Sequence, residues 1–182
     1  MIQFRNIDRM LICGDSESGK SYLTAQLIRQ IPQEQLVVIT PYADEMVFVK
    51  NRLVTIFPEK AIEMIIAVLK DGHKVLVIDD FDILFERDMG SAERALKILL
   101  VSGRHASIGW VIITRRMSDI PKLIVKQATL LAIFQTNLGL DLQTINEMFG
   151  AQAAYTVQSL NWQNHECLFL DRRSRESRVI TV

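Results

Sequence analysis

The sequence predicts an α/β fold whose mostly parallel β-sheet is covered by helices on both faces. Short, almost continuous apolar runs alternate along the chain with segments of helical periodicity. Strands buried on both faces have that composition, and the helical segments supply the crossovers that parallel strands need. The last two apolar runs are joined by a short polar turn, which predicts an antiparallel hairpin at one edge of the sheet.

The predicted elements follow this alternation. Strands are predicted at residues 9–13, 35–40, 52–57, 74–78, 108–114, 129–135, 166–170 and 178–182. Helices are predicted at residues 22–30, 58–70, 119–126 and 141–160, and from a polar break at 88–91 to about 101. Ser91 is the candidate N-cap of that last helix, with Glu93 close behind, and Gly150 predicts an interruption of the helix over 141–160.

Composition bounds the remaining possibilities. With 182 residues, 49% hydrophobic and 23% charged, the chain suffices for a single domain over residues 1–182. Its 21 basic and 21 acidic side chains cancel, so any contact with DNA has to be local or built from several copies. Cys13 and Cys167 lie in separate apolar runs, as reduced thiols in a cytosol-like compartment do. Apolar windows too short to span a bilayer, and no signal-peptide pattern, predict a soluble, cytoplasmic protein.

The clearest motif is Gly-Asp-Ser-Glu-Ser-Gly-Lys-Ser at residues 14–21, a complete P-loop between the first predicted strand and helix. Its glycines let the backbone wrap closely around a phosphate, while successive N–H groups and the helix N-terminus face the anion. Lys20 is predicted to reach the β- and γ-phosphates, and Ser21 to ligate Mg²⁺. The candidate nucleotide-binding residues are Gly14, Asp15, Ser16, Glu17, Ser18, Gly19, Lys20, Ser21 and Tyr22.

Two adjacent carboxylates end the predicted strand over residues 74–78, about sixty residues after the P-loop. In open α/β sheets, ligands bind at the carboxyl ends of the strands, so Asp79 is predicted to hold Mg²⁺ together with Ser21. Asp80 is then the candidate to orient or deprotonate an attacking water, with Asp82 as its competitor. The alternative for Asp82 and Glu86 is a solvated position or a pairing with nearby arginines.

Arginines flank the strand predicted at residues 108–114. Gly103-Arg104-His105 precedes this strand, and Thr114-Arg115-Arg116 ends it. The carboxyl end of the strand faces the P-loop crevice, so Arg115 or Arg116 is a candidate sensor of the γ-phosphate. Arg104, on a surface loop, is a candidate arginine finger for a neighbouring subunit.

Taken together, these motifs resemble the HerA–FtsK superfamily of P-loop motors. The resemblance rests on the P-loop, the Asp79-Asp80 pair, the Gly-Arg-His element and the strand ending followed by Ser118-Asp119-Ile120. Residues 127–134 and 141–150 are similar to the segment that follows the sensor strand in that family. The resemblance implies a RecA-like core with ATP and Mg²⁺ as cofactors. It also implies a homo-oligomeric ring, usually a hexamer, that pumps double-stranded DNA.

A core without appended domains looks most like the genome-packaging ATPases of tailless, membrane-containing viruses. That likeness implies a place in the host cytoplasm or with the virion, and capsid vertex proteins as partners. The family usually has Thr-Gln-Arg-Pro where this chain has Thr114-Arg115-Arg116-Met117, and glutamate where it has Asp80. Arg116 is therefore the better sensor match, and the catalytic candidates are Lys20, Asp80, Arg104 and Arg116.

Two other functions fit the same residues. A cellular HerA-like translocase in repair or conjugation would use the same motor groups. A nucleotide-gated assembly protein with negligible turnover is consistent with the departures at Asp80 and Arg115. The candidate residues for contact with DNA are the cations Lys122, Lys126, Arg172, Arg173, Arg175 and Arg178. Arg178 lies inside a strand pattern, so its alternative role is structural.

Overall fold

An eight-stranded β-sheet forms the centre of the molecule. The computed structural model describes residues 2–85 and 89–182, with the backbone alone at residues 89–93 and 95. The strands are β1 Arg9–Cys13, β2 Leu36–Thr40, β3 Arg52–Val54, β4 Val75–Ile78, β5 Gly109–Thr114, β6 Leu130–Phe134, β7 Glu166–Asp171 and β8 Glu176–Thr181. The helices are α1 Lys20–Ile28, α2 Pro58–Asp71, α3 Phe81–Phe85, α4 Met89–Ser102, α5 Lys122–Gln127, α6 Gly139–Phe149 and α7 Ala151–Ser159, and a 3₁₀ turn covers Trp162–Asn164.

The strand order is β3-β2-β4-β5-β1-β6-β7-β8. Every pair from β3 to β6 is parallel, whereas β6–β7 and β7–β8 are antiparallel. Alternate residues of β1 enter opposite hydrophobic cores: Leu11 packs with residues of α2 and α4, and Ile12 packs with residues of α1. The prediction of a mostly parallel sheet, covered on both faces and closed by an antiparallel hairpin, is confirmed.

Several predicted elements differ from the structure by one to three residues at an end, as α5 does, which begins at Lys122 instead of residue 119. β3 ends at Val54 instead of residue 57, because the Phe57 N–H turns back to donate to the Thr55 hydroxyl at 3.0 Å. α4 already begins at Met89, so Ser91 lies inside this helix and the N-cap prediction is wrong. α3 was not predicted, since its five residues are too few to show a helical period. The predicted interruption at Gly150 is confirmed, where φ reaches 90° between α6 and α7.

The parallel strands give the sheet two chemically different edges. We call the edge where β1, β2, β4, β5 and β6 end the carboxyl edge, and the edge where they begin the amino edge. Because β7 runs antiparallel to β6 and pairs Asp171 with Leu130, the turn between β7 and β8 lies at the amino edge. Among the described residues, no helix combines the length and apolar character needed to cross a bilayer.

Candidate nucleotide-binding site

The loop between β1 and α1 lies at the carboxyl edge and is fixed by its neighbours. The Gly14 N–H donates to the Thr114 carbonyl at 3.3 Å, which attaches the start of the loop to the end of β5. A Cβ at Gly14 would lie 2.5 Å from Cβ of Phe134, so a side chain cannot be accommodated here. Gly19 ends the loop in the left-handed region with φ of 105°, which glycine adopts without strain.

The same loop presents hydrogen-bond donors that the described part of the chain does not use. The backbone N–H groups of Ser16, Glu17 and Gly19 have no acceptor there. Among the described residues the buried Ser18 hydroxyl has no partner, an arrangement that costs free energy unless a ligand or water completes it. An oxyanion placed in the loop would satisfy these donors, so the residues present fit a phosphate.

Lys20 lies across this loop. Its Nζ donates to the Asp15 carbonyl at 2.6 Å, and the side chain is largely buried. Burial lowers the pKa of Lys20, while the negative charges of Asp80, Asp15 and Asp79 act in the opposite direction. The lysine is therefore within electrostatic reach of the acid pair at the end of β4, as a shared nucleotide site requires.

The acid pair is buried and held by residues at the end of β2 and just after it. The Asp79 carboxylate accepts a hydrogen bond from the Thr40 hydroxyl at 2.9 Å, and Asp80 accepts one from the Tyr42 hydroxyl at 2.6 Å. Burial raises the pKa of Asp79 to about 6, with a further contribution from the charge of Asp80. Burial and the bond to Asp80 raise the pKa of Tyr42 to about 12. Asp80 has φ of 40°, which is strained for a non-glycine residue.

Asp82 is engaged by the end of β5 instead. Its carboxylate accepts from the Arg115 Nε at 2.8 Å, and from the Thr114 hydroxyl and the Arg115 N–H, both at 3.3 Å. Asp82 is thus paired with a nearby arginine, which is one of the two alternatives that the sequence left open for it. Glu86, named with it, lies outside the described residues.

A cavity of about 670 Å³ opens between the P-loop and the end of β5. Its lining comprises Asp15, Ser16, Phe81, Asp82, Phe85, Arg115, Arg116 and Asp119. Arg115 is bound to Asp82, whereas the exposed Arg116 guanidinium has no hydrogen bond or ion pair within the described residues. Of the two candidate sensors, Arg116 is the one that is available to an anion in this cavity.

The chemistry of Ser21 and Asp79 fits Mg²⁺. Both offer oxygen, which Mg²⁺ prefers, and this ion is usually held by one or two protein oxygens together with phosphate and water. Ser21 lies in the exposed first turn of α1. No group of three or more histidine, cysteine or acidic side chains in the described residues could hold a metal alone. A metal at this point would therefore share its coordination with a nucleotide.

Arg104 lies far from this site, at the amino edge. It is exposed in the turn between α4 and β5, and β5 pairs in parallel with β1. The five residues of β1 span about 16 Å, which separates Arg104 from the loop of its own chain. Arg104 thus cannot reach a phosphate bound in the same chain, whereas it is free to face another copy.

Most of the predicted DNA-contact residues have structural partners. Arg172 donates to the carbonyls of Val125, Lys126 and Ala128 at 2.7, 3.3 and 3.1 Å. The other bound candidates are Lys122, paired with Glu147; Arg173, paired with Asp171 and Asp8; and Arg178, above the ring of Phe169.

Lys126 and Arg175 are the two exceptions. Both are exposed, and neither makes a hydrogen bond or ion pair through its side chain within the described residues. Both lie at the amino edge, in the last turn of α5 and in the turn between β7 and β8. These two cations remain candidates for contact with DNA phosphates.

Sequence reasoning missed Thr40 and Tyr42. Thr40 could have been found, because it places a hydroxyl at the carboxyl end of a fully buried strand. The carboxyl ends of parallel strands meet at one edge of the sheet, where ligands bind. Sequence reasoning also missed Asp141, a buried carboxylate that accepts from the Ser118 N–H at 2.8 Å and so fixes the segment after Arg116. No local pattern marks Asp141, since its partner is 23 residues away.

Comparison with solved structures identifies the fold. The genome-packaging NTPase B204 of Sulfolobus turreted icosahedral virus 2, in complex with ATPγS, matches with a TM-score of 0.77 and 22% identity over 97% of this chain and 98% of that chain. The chain has the fold of B204. The RecA-like P-loop core that the sequence predicts is thereby confirmed.

Larger proteins contain the same fold. TcpA, the pCW3 conjugation coupling protein, matches with a TM-score of 0.70 and 12% identity over 97% of this chain and 60% of that chain. Thermomonospora curvata EccC, comprising ATPases 2 and 3, matches with a TM-score of 0.64 and 17% identity over 96% of this chain and 36% of that chain. These structures agree with the resemblance to HerA–FtsK motors. Neither protein-family models nor curated protein sequences match the chain.

Proposed function

We propose that the chain is an Mg²⁺-dependent ATPase that acts as a ring and translocates double-stranded DNA, most specifically during packaging of a viral genome into a capsid. The supporting observation is the P-loop of unpaired amides and Lys20 facing a buried acid pair across the carboxyl edge. The similarity in fold to B204, a genome-packaging NTPase, supports the choice of packaging. Such a protein would work in the host cytoplasm or with the virion, beside capsid vertex proteins.

In this proposal, the loop residues bind and orient the triphosphate. The amides of Ser16, Glu17 and Gly19 donate to phosphate oxygens, and Lys20 transfers its hydrogen bond from the Asp15 carbonyl to the β- and γ-phosphates. Tyr22, exposed in the first turn of α1, is proposed to contact the rest of the nucleotide. Ser21 and Asp79 would hold Mg²⁺, which neutralises the charge that develops on the phosphates when it is bound.

Asp80 is the proposed group that orients the attacking water. Asp82 is its weaker competitor, because both of its oxygens already accept hydrogen bonds from Thr114 and Arg115. Within the described residues, Asp80 has one side-chain partner, Tyr42, and keeps an oxygen for water. Arg116 would sense the γ-phosphate from the same chain, and Arg104 would neutralise it from a neighbouring subunit.

A turnover assay tests the activity itself. The wild type is expected to hydrolyse ATP faster when double-stranded DNA is present, because translocation couples the two. Lys20→Ala should lower turnover by about two orders of magnitude, since it removes a charged donor from the phosphates. Nucleotide binding without any turnover, with or without DNA, would contradict the proposal.

Mixed assemblies test the role of Arg104. Arg104→Ala and Lys20→Ala subunits should each be inactive alone, yet regain part of the activity when mixed. A mixed ring contains interfaces at which an intact P-loop faces an intact Arg104. Mass measurement must show that the rings are mixed. If they are, and activity is absent at every ratio, Arg104 does not act in trans.

Two alternatives keep the same nucleotide site. A cellular translocase in conjugation is favoured by the likeness to TcpA, a conjugation coupling protein. A nucleotide-gated assembly protein is favoured by the 2.6 Å bond from Tyr42 to Asp80, because it occupies one oxygen of the carboxylate proposed to orient water. DNA-stimulated turnover excludes the second alternative, and the nucleic acid recovered with the native assembly separates the first from packaging.

A further inference from the structure

A second concave site lies at the amino edge, opposite the P-loop. It is a cavity of about 410 Å³ between the segment before β1, the turn before β5 and the start of β6. We call it the arginine cavity, because its lining includes Arg5, Arg9, Arg104 and Arg173. The only acidic side chain in that lining is Asp8.

The carboxylates available do not balance these four cations. Asp8 is 1% exposed and accepts from the Arg5 Nη2 at 3.0 Å and from the Arg173 Nη1 at 2.6 Å. Asp171 binds Arg173 a second time, with 2.5 Å between the closest atoms. Asp8 and Asp171 are therefore both engaged by Arg5 and Arg173. Within the described residues, Arg9 and Arg104 have no carboxylate partner.

Arg9 is the less obvious of these two cations. Its Nη1 donates to the neutral amide oxygen of Gln127 at 2.7 Å. The Thr129 hydroxyl accepts from the Arg9 backbone N–H at 3.0 Å and donates to the Arg9 carbonyl at 3.2 Å. Partial burial lowers the pKa of Arg9, and the positive charge of Arg104 lowers it further. Two like charges have thus been brought together at a cavity, an arrangement that an anion would stabilise.

We propose that the arginine cavity receives the nucleotide-bound edge of a second copy of this chain, where Arg9 acts beside Arg104 as a second cation on the triphosphate. This inference rests on the proposed function and adds Arg9, which neither the motifs nor the comparisons single out. Arginine forms paired hydrogen bonds to phosphate oxygens, so a guanidinium already oriented by Gln127 suits this contact.

A second copy fits the cavity better than DNA does. The carboxyl edge carries Asp15, Asp80, Asp82 and Asp119 against the cations Lys20, Arg115 and Arg116, and a bound triphosphate makes this edge negative. The arginine cavity lies on the opposite edge of the same sheet, and head-to-tail contacts between two different faces are those that close into rings. The cations suited to a DNA backbone, Lys126 and Arg175, lie outside the lining of this cavity.

The placement of Arg9 also links two nucleotide sites through one strand. Arg9 begins β1, and the P-loop follows its last residue, Cys13. β1 is paired on both sides, with β5 and β6. In this proposal, a largely buried strand therefore connects the cation that contacts the neighbouring nucleotide with the P-loop of its own chain.

Nucleotide-dependent assembly tests the inference without requiring turnover. The half-assembly concentration is measured by mass for wild type, Arg9→Gln and the control Lys50→Gln, with ATPγS and Mg²⁺. Lys50 is exposed next to β3, the edge strand at the far end of the sheet. Arg9→Gln is expected to raise the half-assembly concentration about tenfold while leaving ATPγS binding by single subunits unchanged, because its own P-loop is intact. Lys50→Gln should match wild type.

A second arm measures binding of a short DNA duplex without nucleotide, where Arg9→Gln should equal wild type. Loss of duplex binding with unchanged assembly would make the cavity a nucleic-acid site and overturn the inference. A wild type that does not assemble with ATPγS would also overturn it. An Arg9-sensitive assembly without any turnover would instead leave the inference standing and reject the proposed function.

Should Arg9→Gln fail to fold, Arg9→Lys replaces it in both arms. Lysine keeps the positive charge but loses the planar fork, so assembly is expected to weaken by about threefold. Mixing the Arg9 variant with Lys20→Ala subunits should also restore part of the turnover, since each supplies what the other lacks. If an Arg9 variant assembles as wild type does, and wild type hydrolyses ATP, the inference about Arg9 is wrong and the proposed function still stands.

Discussion

Asp79 is the residue whose ionisation the fold alters most clearly at the candidate site. Burial raises its pKa from 3.8 to about 6, and the hydrogen bond from Thr40 only partly opposes this shift. The folded protein therefore binds the Asp79 proton more tightly than the unfolded chain does. The resulting stabilisation is complete below pH 3.8 and is lost as the pH rises through about 6.

This shift predicts the behaviour of Asp79→Asn. In urea unfolding without divalent ions, the variant should equal wild type near pH 4. It should exceed wild type by about 3 kcal/mol well above pH 6, because it carries no buried charge. Thr40→Val should move the same transition to higher pH, since it removes a hydrogen bond to the carboxylate. A stability difference that does not vary with pH would contradict the placement of Asp79.

The choice between Asp80 and Asp82 is also made at the scale of single residues. Asp80→Asn should lower turnover by about 100-fold, because the amide cannot accept a proton from water. Asp82→Asn should keep turnover within about threefold and lower the melting temperature instead, since it loses the ion pair with Arg115. Steady-state ATPase rates and thermal melts of the two variants check both statements, and the reverse pattern would assign the role to Asp82.

At the scale of elements, the loop between β1 and α1 is shaped by strands that are distant in sequence. Phe134 of β6 packs against Gly14, and the carbonyl of Thr114 in β5 accepts the hydrogen bond of the Gly14 N–H. The loop therefore depends on the central sheet for its shape as well as on its own glycines. Nucleotide binding and the packing of β1, β5 and β6 are accordingly coupled.

This coupling predicts that Gly14→Ala lowers the free energy of unfolding by about 1–3 kcal/mol and impairs nucleotide binding, because the new methyl group collides with Phe134. Gly139→Ala is the matched control. A Cβ at this first residue of α6 meets no atom within 4 Å, and alanine favours a helix. The control should be neutral or more stable by up to about 1 kcal/mol in urea unfolding. Equal stability of the two variants would contradict the close approach of Phe134 to Gly14.

At the scale of the whole molecule, cations accumulate at the amino edge of the sheet. The arginine cavity and most of the predicted DNA-contact arginines lie there, whereas the carboxyl edge mixes acids with Lys20, Arg115 and Arg116. Several of the amino-edge arginines stabilise the fold, as the three carbonyls bound by Arg172 show. Net charge near zero thus conceals a local excess of cations at one edge.

This distribution predicts which cations affect DNA binding. Replacing Lys126 or Arg175 by glutamine should reduce the slope of log affinity against log salt by about 0.9 for each phosphate that the side chain no longer neutralises. Lys122→Gln, which breaks an exposed ion pair with Glu147, should leave the slope unchanged. Binding to duplex DNA across a range of salt concentrations measures both. An unchanged slope in the Lys126 and Arg175 variants would exclude this pair from the DNA interface.

The sequence by itself determined the parts of the molecule that local patterns encode. Apolar runs located all eight strands, and the glycine, lysine and serine spacing located the P-loop. The rule that parallel strands end at one edge brought Asp79 and Arg116 to the same side as Lys20. The first two predictions depend on residues within one element or one turn, where periodicity and backbone preference act directly. The third depends on a general property of parallel sheets.

The folded structure was needed to establish which side chains share a hydrogen bond and which residues of distant strands meet. The bonds from Thr40 to Asp79 and from Tyr42 to Asp80 join residues 39 and 38 positions apart, and no local pattern records them. The same holds for Arg104 and Arg9, which meet because β1 and β5 are neighbours in the sheet. Strand order fixes such meetings, and it follows from how the whole core packs, a property of all the elements together.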